Sequence, residues 1–187
     1  EGKLLKNYSG DSYLVLGNMA YFPSLDIYDV HATFRSKVVV SEPFVPLATG
    51  KNVRRWSEEG LNGVETVEDE PISFPFVIIG KFEVEEGSRS GYDIKVYSYA
   101  FGKERGAKAL ARNGLAILDF YSNGMHDFPY DELEVVEIPY FRHFFWQAPS
   151  GVVEITSEGL NPIAGDMSDI DTLLRRYAPK GQKARYA

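Results

Sequence analysis

Three histidines, no cysteine and a few loose groups of carboxylates are what this 187-residue chain offers to metal or acid–base chemistry. His31, His126 and His143 stand far apart. None has a partner one helical turn away, as a zinc-binding His-Glu-x-x-His helix requires. The lack of cysteine excludes disulfides, thiolate metal sites and cysteine nucleophiles, but leaves the compartment open. Glu132, Glu134 and Glu137 cluster in sequence. On a strand, however, the first two point one way and Glu137 the other, which is not the facing pair of a glycosidase. Asp166, Asp169 and Asp171 lack the central glycine and distal glutamate of a calcium loop. With Ser168 they read instead as the cap and acidic first turn of a helix beginning near Thr172. No phosphate-cradling glycine loop and no Gly-x-Ser-x-Gly elbow is present. The aromatic run Tyr140-Phe141-Arg142-His143-Phe144-Phe145-Trp146 suits two roles, the lining of a peptide cleft or packing beneath a strand.

The element that must position any such site is a helix over 103–123. Ala107, Leu110, Ala111, Gly114, Ile117, Leu118 and Tyr121 recur at three- and four-residue steps and form one face. Arg105, Lys108, Arg112 and Asp119 take the other, and Asn123-Gly124 supplies the stop. A strand ending in Ile138-Pro139 follows, and a second one covers 152–156. Ahead of the helix the chain reads as β structure. Tyr13–Leu16 is a short apolar run, and Tyr28 to Val40 alternates until Pro43 and Pro46 break it. Ala48–Lys51 is a turn, and residues 53–67 form a hairpin with an irregular loop over 58–63. The segment 71–80 is apolar enough to be buried on both faces. Glu83 to Gly91 reads as a hairpin turn or a domain linker, and Asp93–Tyr99 as a half-exposed strand.

Two blocks of this chain resemble zinc aminopeptidases of the aminopeptidase N type. The first is Tyr21-Phe22-Pro23, Asp29–Phe34, Leu47–Lys51 and the stretch from Pro71-Ile72 to Phe82. It is similar to the end of that family's N-terminal β domain. The second is Phe120-Tyr121, Phe128-Pro129-Tyr130, Glu132–Pro139 and Gly151–Thr156. It is similar to the long helix, the following strand and the post-loop strand of the catalytic domain. The resemblance implies an α+β, β-rich fold in two parts. Residues 1–82 would be the end of an N-terminal β-sandwich or saddle-like domain. Residues 83–187 would be the mixed-sheet opening of a thermolysin-like metallopeptidase domain with one long helix. It also implies that this stretch stops before the zinc-binding helix, so that it holds no cofactor and is inactive alone. Zinc is expected in the full-length parent, and the partners are a peptide substrate and the remainder of the catalytic domain. The family's substrate-binding loop falls on Phe145, Trp146, Gln147, Ala148 and Pro149, leading into Gly151. Ala148, or Gln147 under a one-residue shift, stands where the family carries the glutamate that holds a free amino terminus.

The net charge of −7 disfavours nucleic acid as a partner, because phosphate binding needs clustered Lys and Arg. The basic cluster from Arg175 to Arg185 reads as a solvated helix end. No apolar run approaches the ~18 residues of a membrane span. The opening Glu1-Gly2-Lys3, without an initiator methionine, fits a processed product or a fragment. Two functions follow as expectations: a stretch of a zinc metallopeptidase-like hydrolase, or a non-catalytic peptide-binding or scaffold module on the same fold.

Overall fold

The computed structural model describes residues 4–6, 12–17, 31–72, 75–98, 104–124, 126–130, 132–138, 146–147 and 151–156. Among them the chain is β-rich α+β, with twelve strands and one helix. It divides into two compact units, Glu1–Phe82 with Gln147–Val152, and Glu83–Trp146 with Val153–Ala187.

The first unit holds two sheets. Strands β1 (Leu4–Lys6), β2 (Ser12–Gly17), β4 (Val45–Ala48) and β7 (Phe76–Gly80) pair in the order β1-β2-β7-β4. Strands β3 (Ala32–Ser41), β5 (Lys51–Glu58) and β6 (Leu61–Ile72) pair antiparallel in the order β3-β6-β5. Ala48, Val64 and Val77 are the buried centre where β4, β6 and β7 meet, with Val38 and Ile79 packed against them. Thr49 fastens the start of β7: its Oγ1 accepts from the Phe76 amide at 2.6 Å, and its own amide donates to the Phe76 carbonyl at 3.2 Å.

Two local features differ from the sequence expectation. Pro46 does not break the chain but lies inside β4, opposite Ile79. Because β4 is the outermost strand of its sheet, the missing proline N–H costs no ladder bond. The expected irregular loop over 58–63 is a tight turn on Glu59-Gly60, with φ of 53° and 75°. Positive φ at both central positions matches the twist of the paired strands, and glycine takes it without strain.

The second unit holds most of a mixed five-stranded sheet. Its strands are β8 (Glu83–Arg89), β9 (Tyr92–Ser98), β10 (Glu132–Ile138), β11 (Trp146–Gln147) and β12 (Val152–Thr156), in the order β11-β12-β10-β9-β8. Glu83–Arg89 is therefore a strand rather than a linker. It pairs antiparallel with β9 through the turn Ser90-Gly91. The helix α1 (Glu104–Gly124) connects β9 to β10, which run parallel. Its Ala107, Ala111 and Leu115 pack on Ile94, Val96, Val135 and Ile155.

The expected apolar face of α1 is displaced. Ile117 and Tyr121 are exposed, while Leu115, Ala116 and Asn113 are buried. Residues 107, 111 and 115 share the i, i+4 row against the sheet, and Asn113 and Ala116 lie on a second buried side. The single-stripe reading missed that side. Gly114 faces the sheet so closely that a Cβ there would stand 2.5 Å from Ile94 Cδ1. Strand β9, expected to be half-exposed, is buried at Val96, Tyr97 and Ser98. The segments 99–103, 139–145 and 157–187 lie outside the described residues, and with them the aromatic run before Trp146 and the helices expected near Thr172 and beyond Gln182.

Candidate functional site

Strand alternation sorts the five-stranded sheet into two faces. Ile94 and Val96 on β9, Val135 on β10, and Val153 and Ile155 on β12 turn toward α1. The residues between them turn the other way: Asp93, Lys95 and Tyr97 on β9, Glu132, Glu134 and Val136 on β10, and Glu154 on β12. That second face carries the charge.

At its β8 end Lys95 Nζ meets Glu132 Oε2 at 2.7 Å and Glu86 Oε1 at 3.9 Å. An open groove there is lined by Glu86, Ser88, Asp93, Lys95 and Glu132. In the middle the buried Tyr97 hydroxyl donates to Glu134 Oε1 at 3.1 Å, so the Glu134 carboxylate is held although it is also buried. Toward β11 stands Glu154. It is 4 % exposed, and burial raises its pKa from 4.5 to about 7.

The binding-loop residues expected from the sequence fall around this outer end. Trp146 and Gln147 form β11, the outermost strand of the sheet among the described residues. Gly151 turns the chain into β12 with φ of 77°. Phe145, Ala148 and Pro149 lie outside the described residues, as do His143 and the Asp166–Asp171 group.

Of the remaining histidines, His31 and His126 are both exposed and belong to different units. Among the described residues no group of three or more His, Cys, Asp or Glu side chains converges as a metal site requires. The Glu132, Glu134 and Glu137 triplet divides as strand alternation demands, and all three carboxylates have bonding partners. At the far end of α1, Asp119 takes Arg89 at 3.5 Å and the Asn123 amide at 3.0 Å, which joins the β8–β9 turn to the helix. No helix of the described residues is long and apolar enough to cross a membrane.

Glu154, Lys95 and Tyr97 were not singled out by sequence reasoning. A signal existed for Glu154: a carboxylate set within Val152-Val153-Glu154-Ile155, a run apolar enough to be a buried strand. Nothing comparable marked Lys95, whose partners come from strands distant in sequence. No family model and no curated protein matches the chain.

Proposed function

We propose that this chain is a stretch of a zinc-metallopeptidase-like protein. In this reading residues 1–82 are the end of an N-terminal β-sandwich or saddle-like domain. Residues 83–187 open a thermolysin-like catalytic domain, and an extended peptide lies along β11. One observation carries the reading: the segments that resemble the family, in their order, fall on α1, β10 and the β11–β12 edge of one mixed sheet. An outermost strand offers main-chain donors and acceptors to an incoming peptide, so backbone pairing supplies affinity and alternate pockets supply choice. The chain alone does no hydrolysis in this reading, because its sequence lacks the His-Glu-x-x-His motif. The ligands, and the zinc they hold, belong to the remainder of the catalytic domain.

The coding sequence downstream of Ala187 tests this directly. A His-Glu-x-x-His motif within about 30 residues is expected, and its absence removes the peptidase reading. Specificity gives a second test. Residues 147–149 present an amide, a methyl group and a proline ring where the resemblance expects an amine-binding glutamate. A charge-assisted contact of that kind contributes roughly 1.5–3 kcal/mol. The intact parent is expected to cleave free and N-acetylated peptides at similar rates, and Ala148→Glu to favour the free amine. A strong wild-type preference for the free amine would mean that another carboxylate binds it.

That same missing carboxylate favours a second reading, a non-catalytic module that holds peptides on the same fold. Calorimetry of the isolated chain with a peptide library separates the two. Binding without a downstream metal motif supports the module, and no binding together with such a motif supports the enzyme fragment.

A further inference from the structure

The three-stranded sheet β3-β6-β5 has a packed face and an open one. Val38 and Val64 turn inward, onto Ala48 and Val77. Alternation sends their neighbours Lys37, Val39, Gly63 and Glu65 to the opposite face. The ladder register arranges that open face in rows across the strands, about 7 Å apart. Arg35, Val67 and Lys51 share one row, in which no carboxylate stands between the two cations. The next row is Lys37, Glu65 and Arg54. These two rows set four exposed cations against one carboxylate, on a chain whose net charge is −7. The third row, Val39, Gly63 and Trp56, is apolar, and Leu61 lies in the row beyond it.

Trp56 joins the cationic end of this face to the apolar one. A Cβ on Gly63 would enter the indole, so the ring lies over that glycine. Lys37 Nζ stands 5.4 Å and Arg54 Cζ 5.1 Å from the ring centroid. Lys37 also meets Glu65 Oε1 at 3.0 Å. The ring and that carboxylate draw both cations onto the face. Beside them Val39 is 45 % exposed and Leu61 42 %. Adjoining apolar side chains bordered by cations are the composition of a contact surface, in which Trp and Arg carry most of the affinity.

We propose that the open face of β3-β6-β5 docks an acidic, partly apolar segment of another polypeptide. Its carboxylates lie over the row of Arg35 and Lys51 and reach Arg54, where a guanidinium can take a carboxylate with two parallel bonds. Its apolar side chains cover Val39, Trp56 and Leu61, about 14 Å further along the strands. Charge complementarity selects the occupant. The chain as a whole is anionic, which opposes long polyanions such as nucleic acid and extended anionic surfaces such as a membrane. A short acidic segment meets only the local field, because charges beyond about 8–10 Å are screened at ordinary salt. The inference is separate from the peptide expected along β11, and holds whether or not the parent is a peptidase.

An NMR titration of the full 187-residue chain tests it. The probe is a capped synthetic peptide of four glutamates and two glycines, then leucine, valine and phenylalanine. The chain has two tryptophans, so their indole N–H signals report separately on this face and on β11. The Trp56 signal is expected to move and that of Trp146 to stay. Affinity is expected to fall roughly tenfold or more between about 0.05 and 0.5 M salt. Arg35→Glu combined with Lys51→Glu is expected to weaken binding by at least roughly tenfold. Both side chains are exposed, and the neutralising pair Arg35→Gln and Lys51→Gln, expected to show a smaller loss in the same direction, serves if the reversal disturbs folding. A peptide with lysines in place of the glutamates is expected not to bind. A silent Trp56 signal, a response at Trp146 alone, or undiminished binding in both paired variants overturns the inference. So does tighter binding to phosphatidylserine vesicles or to a single-stranded oligonucleotide than to the peptide.

Discussion

The two faces of the five-stranded sheet are made by the same strands and differ in almost every other respect. Toward α1 lie Ile94, Val96, Val135 and Ile155, closed by Ala107, Ala111 and Leu115. Each burial on that side removes apolar surface from water, a gain of roughly 25 cal/mol per Å². The other face buries Tyr97, Glu134 and Glu154, whose polar groups gain nothing from leaving water unless they find partners. Glu134 has found one, whereas burial pushes the Glu154 carboxyl up to about 7. One face is thus arranged for stability. The other carries a cost that packing does not explain, and polar groups retained at such a cost are candidates for function.

The sharpest way to break the comparison is on the α1 face. Gly114→Pro removes a helical hydrogen bond, and its ring clashes with the preceding turn, for a loss of about 3 kcal/mol or more. The site is tighter still because any Cβ there meets Ile94. Soluble yield should collapse. Unchanged thermal unfolding would mean that the helix does not hold this face.

The second test acts on the charged face and in the opposite direction. Because the folded pKa of Glu154 is raised from 4.5 to about 7, the wild type loses stability as pH rises through that window. Glu154→Gln should be no more stable than wild type below pH 4.5 and should gain on it up to about pH 7, reaching roughly 3 kcal/mol. Denaturant melts at pH 5 and pH 8 measure it. An advantage that did not grow with pH would show that the carboxylate is not penalised by burial.

Tyr97→Phe leaves the ring in place and takes away the hydroxyl that donates to Glu134. A buried carboxylate that loses a donor costs about 1–3 kcal/mol. Thermal unfolding should show a loss for Tyr97→Phe that shrinks when Glu134 is also changed to Gln. Equal losses in both backgrounds would mean the two side chains do not depend on each other.

These faces were only partly legible in the sequence. The spacing of Ala107, Ala111 and Leu118 was enough to find α1, and the apolar runs located β2, β7 and β12, because each signal lies within its own segment. Pro46 was misleading because proline breaks only strands that need its N–H. Whether β4 is an outer strand is decided by β7, about thirty residues on. Glu83–Arg89 looked like a hairpin turn or a linker because its glutamates and glycine carry little strand propensity, and the turn itself is confined to Ser90-Gly91. Pairing with β9 overrides that preference. The second buried side of α1 left a weak pattern, since Asn113 is polar and Ala116 small. Of the candidate site, the strand over 152–156 was readable. The pairing of Lys95 with Glu132 and of Tyr97 with Glu134 depends on the register of β9 against β10, which no local pattern specifies.

The smallest expected effect separates two contacts made by one ammonium group. Lys95 reaches Glu132 at 2.7 Å and Glu86 at 3.9 Å. The Glu132 side chain is 20 % exposed and that of Glu86 is 68 % exposed, so water and salt screen the second pair far more than the first. Exposed ion pairs contribute about 0–1 kcal/mol, and a contact stretched toward 4 Å with a mobile partner belongs at the bottom of that range. Double-mutant cycles of Lys95→Met with Glu132→Gln and with Glu86→Gln should therefore give unequal couplings. Roughly 1 kcal/mol is expected for Glu132 and nothing measurable for Glu86. The Glu132 coupling should also survive added salt better, because both its partners are largely shielded from solvent. Equal couplings would mean that Lys95 is shared evenly and belongs as much to the β8 rim as to the sheet. A Glu86 coupling larger than that of Glu132 would place the cation outside the charged face altogether. The contrast with the α1 side would then rest on Tyr97, Glu134 and Glu154 alone.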